Sequence, residues 1–218
     1  MALAIFDLDN TLIGGDSDHA WGEFLVEEGL VDPQVYKEAN DRFYQQYLDG
    51  SLDIHRYLEY SLAPLTRFSL NELAQLHQRF MARKITPIML PKAQALLAQH
   101  RQRGDFLLII TATNSFVTSP IARALGVDDL IACEAEIDNQ RYTGRLSGTP
   151  SFREGKVVRL QQWLREHPQY SLAGSYFYSD SHNDLPLLEQ VDYPVVVDAD
   201  ATLQQIAIER NWPQLSLR

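Results

Sequence analysis

Unbroken apolar runs and amphipathic stretches take turns along this chain. Residues 3–6, "LAIF", form an apolar run the length of a short strand covered on both faces. Over 17–82 the apolar positions recur at helical spacing, with turn signals at "GLVDP", "LDGSLD" and "TRFSLNE", and no segment there reads as a strand of any strength. Pro91 opens a further helix, "PKAQALLAQHRQRG", with Gly104 as its stop. "FLLIIT" at 106–111 is a second buried strand, and a helix follows over roughly 116–125. "LIACEAEIDNQRYTGRL" alternates and turns at "DNQ", the pattern of a strand followed by a hairpin. "GKVVRLQQWLREH" is an amphipathic helix, "SYFYSD" a third strand with a helix from Asn183, "YPVVVD" a fourth strand and "ATLQQIAIER" a last helix.

Strand and helix therefore alternate everywhere except over 17–82. The pattern predicts an α/β fold: a parallel-sheet, Rossmann-like core with an all-helical cap inserted after the first strand. The expected division is a catalytic core of residues 1–15 and 83–218 and a helical cap of 16–82. A length of 218 residues suits one substantial domain with such an insertion.

Ligands of such sheets bind at the carboxyl ends of the strands. Three of the expected strands finish on a polar residue: Asp7, Thr111 and Asp180. Asp9 follows Asp7 by two, so in extended chain both face the same way. Asp184 follows Asp180 by four, which brings a fourth carboxylate to the same edge. Four converging carboxylates raise one another's pKa, and a hard divalent cation relieves the repulsion; Mg2+ takes one or two carboxylates with water and substrate phosphate. Lys156, at the start of the "GKVVRL" helix, offers a fixed positive charge. Arg153 and Arg159 compete with it three residues to either side, and the "GK" placement favours Lys156. Carboxylates, a metal, a lysine and a threonine together suit phosphoryl transfer through an aspartyl-phosphate.

Composition narrows the partners. Hydrophobic residues are 45% and charged residues 22%, ordinary for a globular chain. No apolar run reaches the roughly 20 residues of a membrane helix, and the start has no basic segment before its first aspartates, so the expectation is a cytoplasmic protein without a signal peptide. The single Cys133 excludes an intrachain disulfide. A net charge of −10 argues against nucleic acid and membrane partners, which need a basic footprint. A small-molecule phosphate ester needs only one local cationic site.

Four segments in order, "DLDNT" at 7–11, "IIT" ending at Thr111, Lys156 in "REGK" and "SDSHND" at 179–184, resemble the motifs of the haloacid dehalogenase-like phosphatases. They span nearly the whole chain. The resemblance implies that Asp7 is the nucleophile and Asp9 the general acid, then the base. Thr111 would hydrogen-bond the phosphoryl group and Lys156 would neutralise charge. Asp7, the Asp9 carbonyl and Asp180 would hold Mg2+, with Asp184, Asn183 and Thr11 in support. Asp9 sets phosphatases apart from dehalogenases, which protonate no alkoxide.

The insertion resembles the cap of the phosphoserine phosphatase branch, where substrate identity is written. In that branch a glutamate nine residues after the nucleophile binds the substrate amine; here the position is Asp16. An arginine that grips the substrate carboxylate aligns near Glu59, with Arg56 one turn earlier. An acidic cap, with Asp16, Asp18, Glu27 and Glu59 as acids, Trp21, Tyr57 and Tyr60 as aromatics, and His19 nearby, suits a cationic ester. L-Histidinol phosphate is the expected substrate. Phosphoserine, phosphocholine and phosphoethanolamine are the alternatives, and a phosphotransferase on the same core is the alternative of another class.

Overall fold

A computed structural model describes residues 2–218. A seven-stranded sheet runs through the molecule in the order β4-β3-β2-β1-β5-β6-β7. Its strands are β1 (Leu3–Phe6), β2 (Phe106–Asn114), β3 (Asp129–Asp138), β4 (Arg141–Ser147), β5 (Tyr176–Ser179), β6 (Tyr193–Val197) and β7 (Gln214–Leu215). Every pairing is parallel except the β3–β4 hairpin. The parallel sheet with a helical insertion that the pattern predicts is the fold observed.

Side chains on β1 alternate between two cores, as a strand covered on both faces requires. Leu3 and Ile5 join Leu108 and Ile110 on one side of the sheet, under α7 (Glu154–Glu166) and α9 (Ala201–Arg210). Ala4 and Phe6 join Leu107 and Ile109 on the other, with α5 (Pro91–Gln102), α6 (Ser115–Leu125) and the helical insertion. The chain adds β2 and β3 on one flank of β1, then β5 and β6 on the other. The order reverses beside β1, and the crevice at such a reversal is where these sheets take ligands.

The insertion holds α1 (Ser17–Glu27), α2 (Pro33–Leu48), α3 (Ile54–Leu62) and α4 (Leu70–Phe80). Each starts on a residue that satisfies its free N–H groups: Asp16, Asp32, Asp53, and Ser69 in a capping box with Glu72. One π-helical turn, Met81–Ile85, leads back toward the core. Trp21, Phe24 and Phe80 pack in the same cluster as Val117 and Ile121 of α6, so the insertion is continuous with the core on that side.

The sequence pattern missed the two-residue β7. It ended β2 at Thr111, whereas the strand continues through an irregular register to Asn114. The helix expected from Asn183 is a single tight turn, His182–Asp184, followed by the four-residue α8 (Leu185–Leu188). Among the described residues no helix is long and apolar enough to cross a membrane.

Candidate active site

Register places the catalytic candidates. Phe6 pairs with Ile109 on one flank and Tyr178 on the other, so Asp7 and Asp180, just past the ends of β1 and β5, come level with Thr111 inside the longer β2. Asp7 is tied to that edge by its own N–H, which donates to the Tyr178 carbonyl at 2.9 Å. Lys156 Nζ reaches in from the first turn of α7 and donates to Asp7 Oδ1 at 2.7 Å and to Asp184 at 2.7 Å. Ser179 Oγ holds Asp184 from the other side at 2.7 Å. Gly155 makes this approach possible: a Cβ there would lie 2.1 Å from the Pro150 carbonyl oxygen, so no larger residue fits before the lysine.

Asp9 is gripped at both oxygens. The Ser17 N–H donates to Oδ1 at 2.6 Å, and Thr113 Oγ1 donates to Oδ2 at 2.9 Å. Thr11 Oγ1 donates to Asp180 Oδ1 at 3.2 Å, which ties the first motif to the last. Thr111 is buried and accepts from the Thr113 N–H at 3.1 Å.

The charge balance is unfavourable as it stands. Burial, opposed by Lys156 and reinforced by Asp184 and Asp9, pushes Asp7 up to about 8. Burial and Asp16 push Asp9 up to about 6. Burial with Asp7 and Asp184 holds Asp180 well above the usual carboxylate range. Burial works against the ammonium of Lys156, but Asp184 and Asp7 outweigh it and keep the lysine above its ordinary value.

A pocket opens on Asp7, Asp9 and Thr111. Asp16, Asp18, His19, Tyr44, Tyr47 and Tyr57 also line it. Among the described residues, no lysine or arginine lines it. Asp18 is buried and accepts from Tyr57 Oη at 2.5 Å and Asn114 Nδ2 at 3.4 Å. Burial, offset in part by the Tyr57 hydroxyl, pushes it up to about 7. Asp16 accepts at Oδ1 from the N–H groups of Asp18 and His19.

Several expected substrate residues lie elsewhere. Glu59 and Arg56 sit on the outer, exposed face of α3, and Arg56 pairs with Asp53 at 3.6 Å. The 3.6-residue period explains this: Leu58, Ser61 and Leu62 form the inward face, which turns 56 and 59 to solvent. Trp21 is core, packed between Phe24, Phe80 and Phe116. Glu27 pairs with Arg83 and Lys84 at the surface, and Tyr60 donates to the Tyr36 carbonyl. Asn183 is buried and donates to the Tyr47 carbonyl of the insertion at 3.0 Å. Asp16 and His19 do line the pocket.

The model of the haloacid dehalogenase-like hydrolase family matches residues 4–189. The chain is a member of that family. A histidinol-phosphatase of Neisseria meningitidis serogroup C is 47% identical over 99% of each chain. A crystal structure of a Bordetella pertussis protein described as of unknown function superposes with a TM-score of 0.92, at 44% identity, over 100% of this chain and 99% of that one. A substrate-bound phosphoserine phosphatase superposes at 0.70 with 16% identity, over 94% and 89%, a likeness of fold. This family member is an enzyme, a phosphatase.

The hydrolase offers a donor set that fits a hard divalent cation. Asp7 and Asp184 share the one ammonium of Lys156, and the charges of Asp9 and Asp180 lie close enough to Asp7 to interact with it, so carboxylates outnumber the cation. Among the described residues no three acidic, histidine or cysteine side chains form a closed cage. Magnesium needs none, since it keeps several waters beside one or two carboxylates. Sequence reading missed Thr113, Tyr44 and Asn40. Thr113 was within reach of it: in the strand continuation "TAT", position 113 shares a face with Thr111.

Proposed function

We propose that this hydrolase is a magnesium-dependent phosphatase whose substrate is L-histidinol phosphate, with residues 16–82 as cap over a core of 1–15 and 83–218. The reading puts the enzyme in histidine biosynthesis, in the cytoplasm. The observation that carries it is the pocket on Asp7, walled by the half-buried Asp16, the buried Asp18 and aromatic rings, without a lysine or arginine among the described residues. L-Histidinol phosphate brings an amine and an imidazole and no carboxylate, so Asp16, Asp18 and the tyrosines meet groups they favour. Phosphoserine would carry its carboxylate against Asp16 and Asp18. The name of the Neisseria relative supports the same substrate.

Asp7, the Asp9 carbonyl and Asp180 would hold the magnesium ion, which neutralises charge on the phosphoryl oxygens when bound. Asp7 attacks phosphorus, and the bond to the leaving alkoxide breaks as Asp9 protonates it. Asp9 then takes a proton from water; the water oxygen bonds to phosphorus, and the Asp7–phosphorus bond breaks. Thr113 and the Ser17 N–H keep Asp9 in place for both transfers. Thr111, which lines the pocket, would hydrogen-bond the transferring group, and Lys156, bonded to Asp7, would neutralise its charge.

The test is phosphate release with magnesium from L-histidinol phosphate, L-phosphoserine, phosphocholine, phosphoethanolamine and sugar phosphates. The expected preference in kcat/KM for L-histidinol phosphate over phosphoserine is about a hundredfold or more, the size of a charge reversed in a buried pocket. A preference for phosphoserine, or no preference, overturns the substrate. Asp7→Asn should abolish release with the fold retained.

A further inference from the structure

We infer that Arg153 is a positioning residue that latches the helical insertion onto the two segments holding the catalytic lysine. Its Nε donates to Asn183 Oδ1 at 3.0 Å, and its Nη2 donates to the Gly50 carbonyl. Asn183 in turn donates to the Tyr47 carbonyl at 3.0 Å. Tyr47 and Gly50 close the C-terminal end of α2, where carbonyls lack helical partners and the helix dipole is negative. A guanidinium fork suits two acceptors at fixed spacing.

The other side of the latch is the catalytic machinery. Arg153 starts the turn that delivers Lys156, whose N–H donates to the Arg153 carbonyl at 3.0 Å. Asn183 precedes Asp184, the second carboxylate on Lys156. One guanidinium and one amide therefore join α2 to both segments that cage the lysine.

Backbone geometry at the two ends supports a built contact. Arg153 has φ 51° and ψ −124°, a conformation a side chain bearing Cβ rarely adopts. Glycine would sit there without strain, and the arginine in its place supplies two directed bonds to Asn183 and Gly50. Gly50 has φ 75°, and a Cβ on it would lie 3.0 Å from Arg153 Nη2 and 3.1 Å from His182 Nε2. Phe152 lies in an apolar cluster with Phe43 and Leu52 of the insertion, so the arginine adds directed bonds to a contact that is already dry.

The inference rests on the reading of Lys156 and Asp184 as site machinery, and its test needs no substrate. Amide hydrogen exchange is followed in the wild type, Arg153→Gly and Arg153→Lys. The glycine variant removes the guanidinium and the backbone strain together, so the thermal midpoint should hold or rise. Exchange over residues 43–52 should quicken about tenfold or more while β1 and β2 stay as slow as in the wild type, a local opening. Arg153→Lys should recover part of the protection, since an ammonium reaches one acceptor and not a fork. Asn183→Ala should open the same residues. Unchanged exchange in Arg153→Gly, or acceleration spread evenly over insertion and sheet, overturns the latch. If the wild type releases no phosphate from L-histidinol phosphate, the proposed substrate falls and the exchange result is untouched.

Discussion

Asp18→Asn should separate selectivity from stability in opposite directions. The carboxylate is buried, with the Tyr57 hydroxyl at 2.5 Å and the Asn114 amide at 3.4 Å, and no ammonium or guanidinium shares its pocket among the described residues. Burial first, against the Tyr57 hydrogen bond, lifts it from 3.8 to about 7. A folded-state value above the unfolded one means that the folded chain binds the proton more tightly. The stability it confers is complete below about pH 4 and is lost as pH rises through about 7. At pH 8 the difference corresponds to about 4 kcal/mol of strain from one buried charge. Asparagine removes that charge with nearly the same shape. Urea unfolding in chelator should therefore show the wild type losing about 3 kcal/mol more than the variant between pH 5 and pH 8. Loss of the anion should also lower kcat/KM for L-histidinol phosphate by about a hundredfold, and that for p-nitrophenyl phosphate by less than about threefold. Parallel stability curves would refute the buried-charge argument. Equal losses on the two esters would refute the selecting role.

Other outcomes follow from the same geometry. Lys156→Met leaves Asp7 and Asp184 facing each other without their cation, so the variant should lose about 3–5 kcal/mol in urea unfolding at pH 8 as well as its turnover. Gly155→Ala drives a Cβ into the Pro150 carbonyl and should displace the start of α7; thermal unfolding should show a loss above about 2 kcal/mol, with activity falling alongside. Thr113→Val removes the donor to Asp9 Oδ2, and kcat for alkyl phosphates should fall about tenfold while Thr113→Ser retains most of it. Chelation should abolish phosphate release and magnesium restore it, measured with the enzyme at fixed concentration.

The sheet and its reactive edge were legible because period two and strand ends are local properties. Leu3, Ile5, Ala4 and Phe6 sort themselves between two cores by alternation alone. The motif residues then meet although Asp7 and Lys156 are 149 positions apart, since parallel strands all end at one edge. The insertion was less legible. Whether Glu59 faces the site depends on which stripe of α3 is buried, and that is decided by α3 packing onto β4 and the core. Trp21 reads as a binding aromatic in isolation and becomes core only because Phe80 and Phe116 converge on it from distant segments. The role of Arg153 was hidden for a related reason: one of its partners is the backbone carbonyl of Gly50, which a side-chain motif does not record, and the other, Asn183, lies 30 positions away.

The acids that face the pocket come from the start of α1 and not from the helices that cross over it. Asp16 caps α1 and Asp18 sits in its first turn, where the helix dipole favours anions and offsets part of the burial cost. The next N–H in the chain, that of Ser17, holds Asp9 Oδ1. In the proposed function, proton transfer and charge selection thus both fall to one short segment, Asp9 to Asp18, anchored by the Gly14 N–H to the Ile88 carbonyl and by the Asn10–Gly15 closure. The helices that lie over the pocket contribute hydroxyls and rings, chiefly Tyr44, Tyr47 and Tyr57. The side of the pocket that carries the charge is therefore α1, whose Trp21 and Phe24 pack into the cluster shared with the core, and the side that carries the rings is α2 and α3.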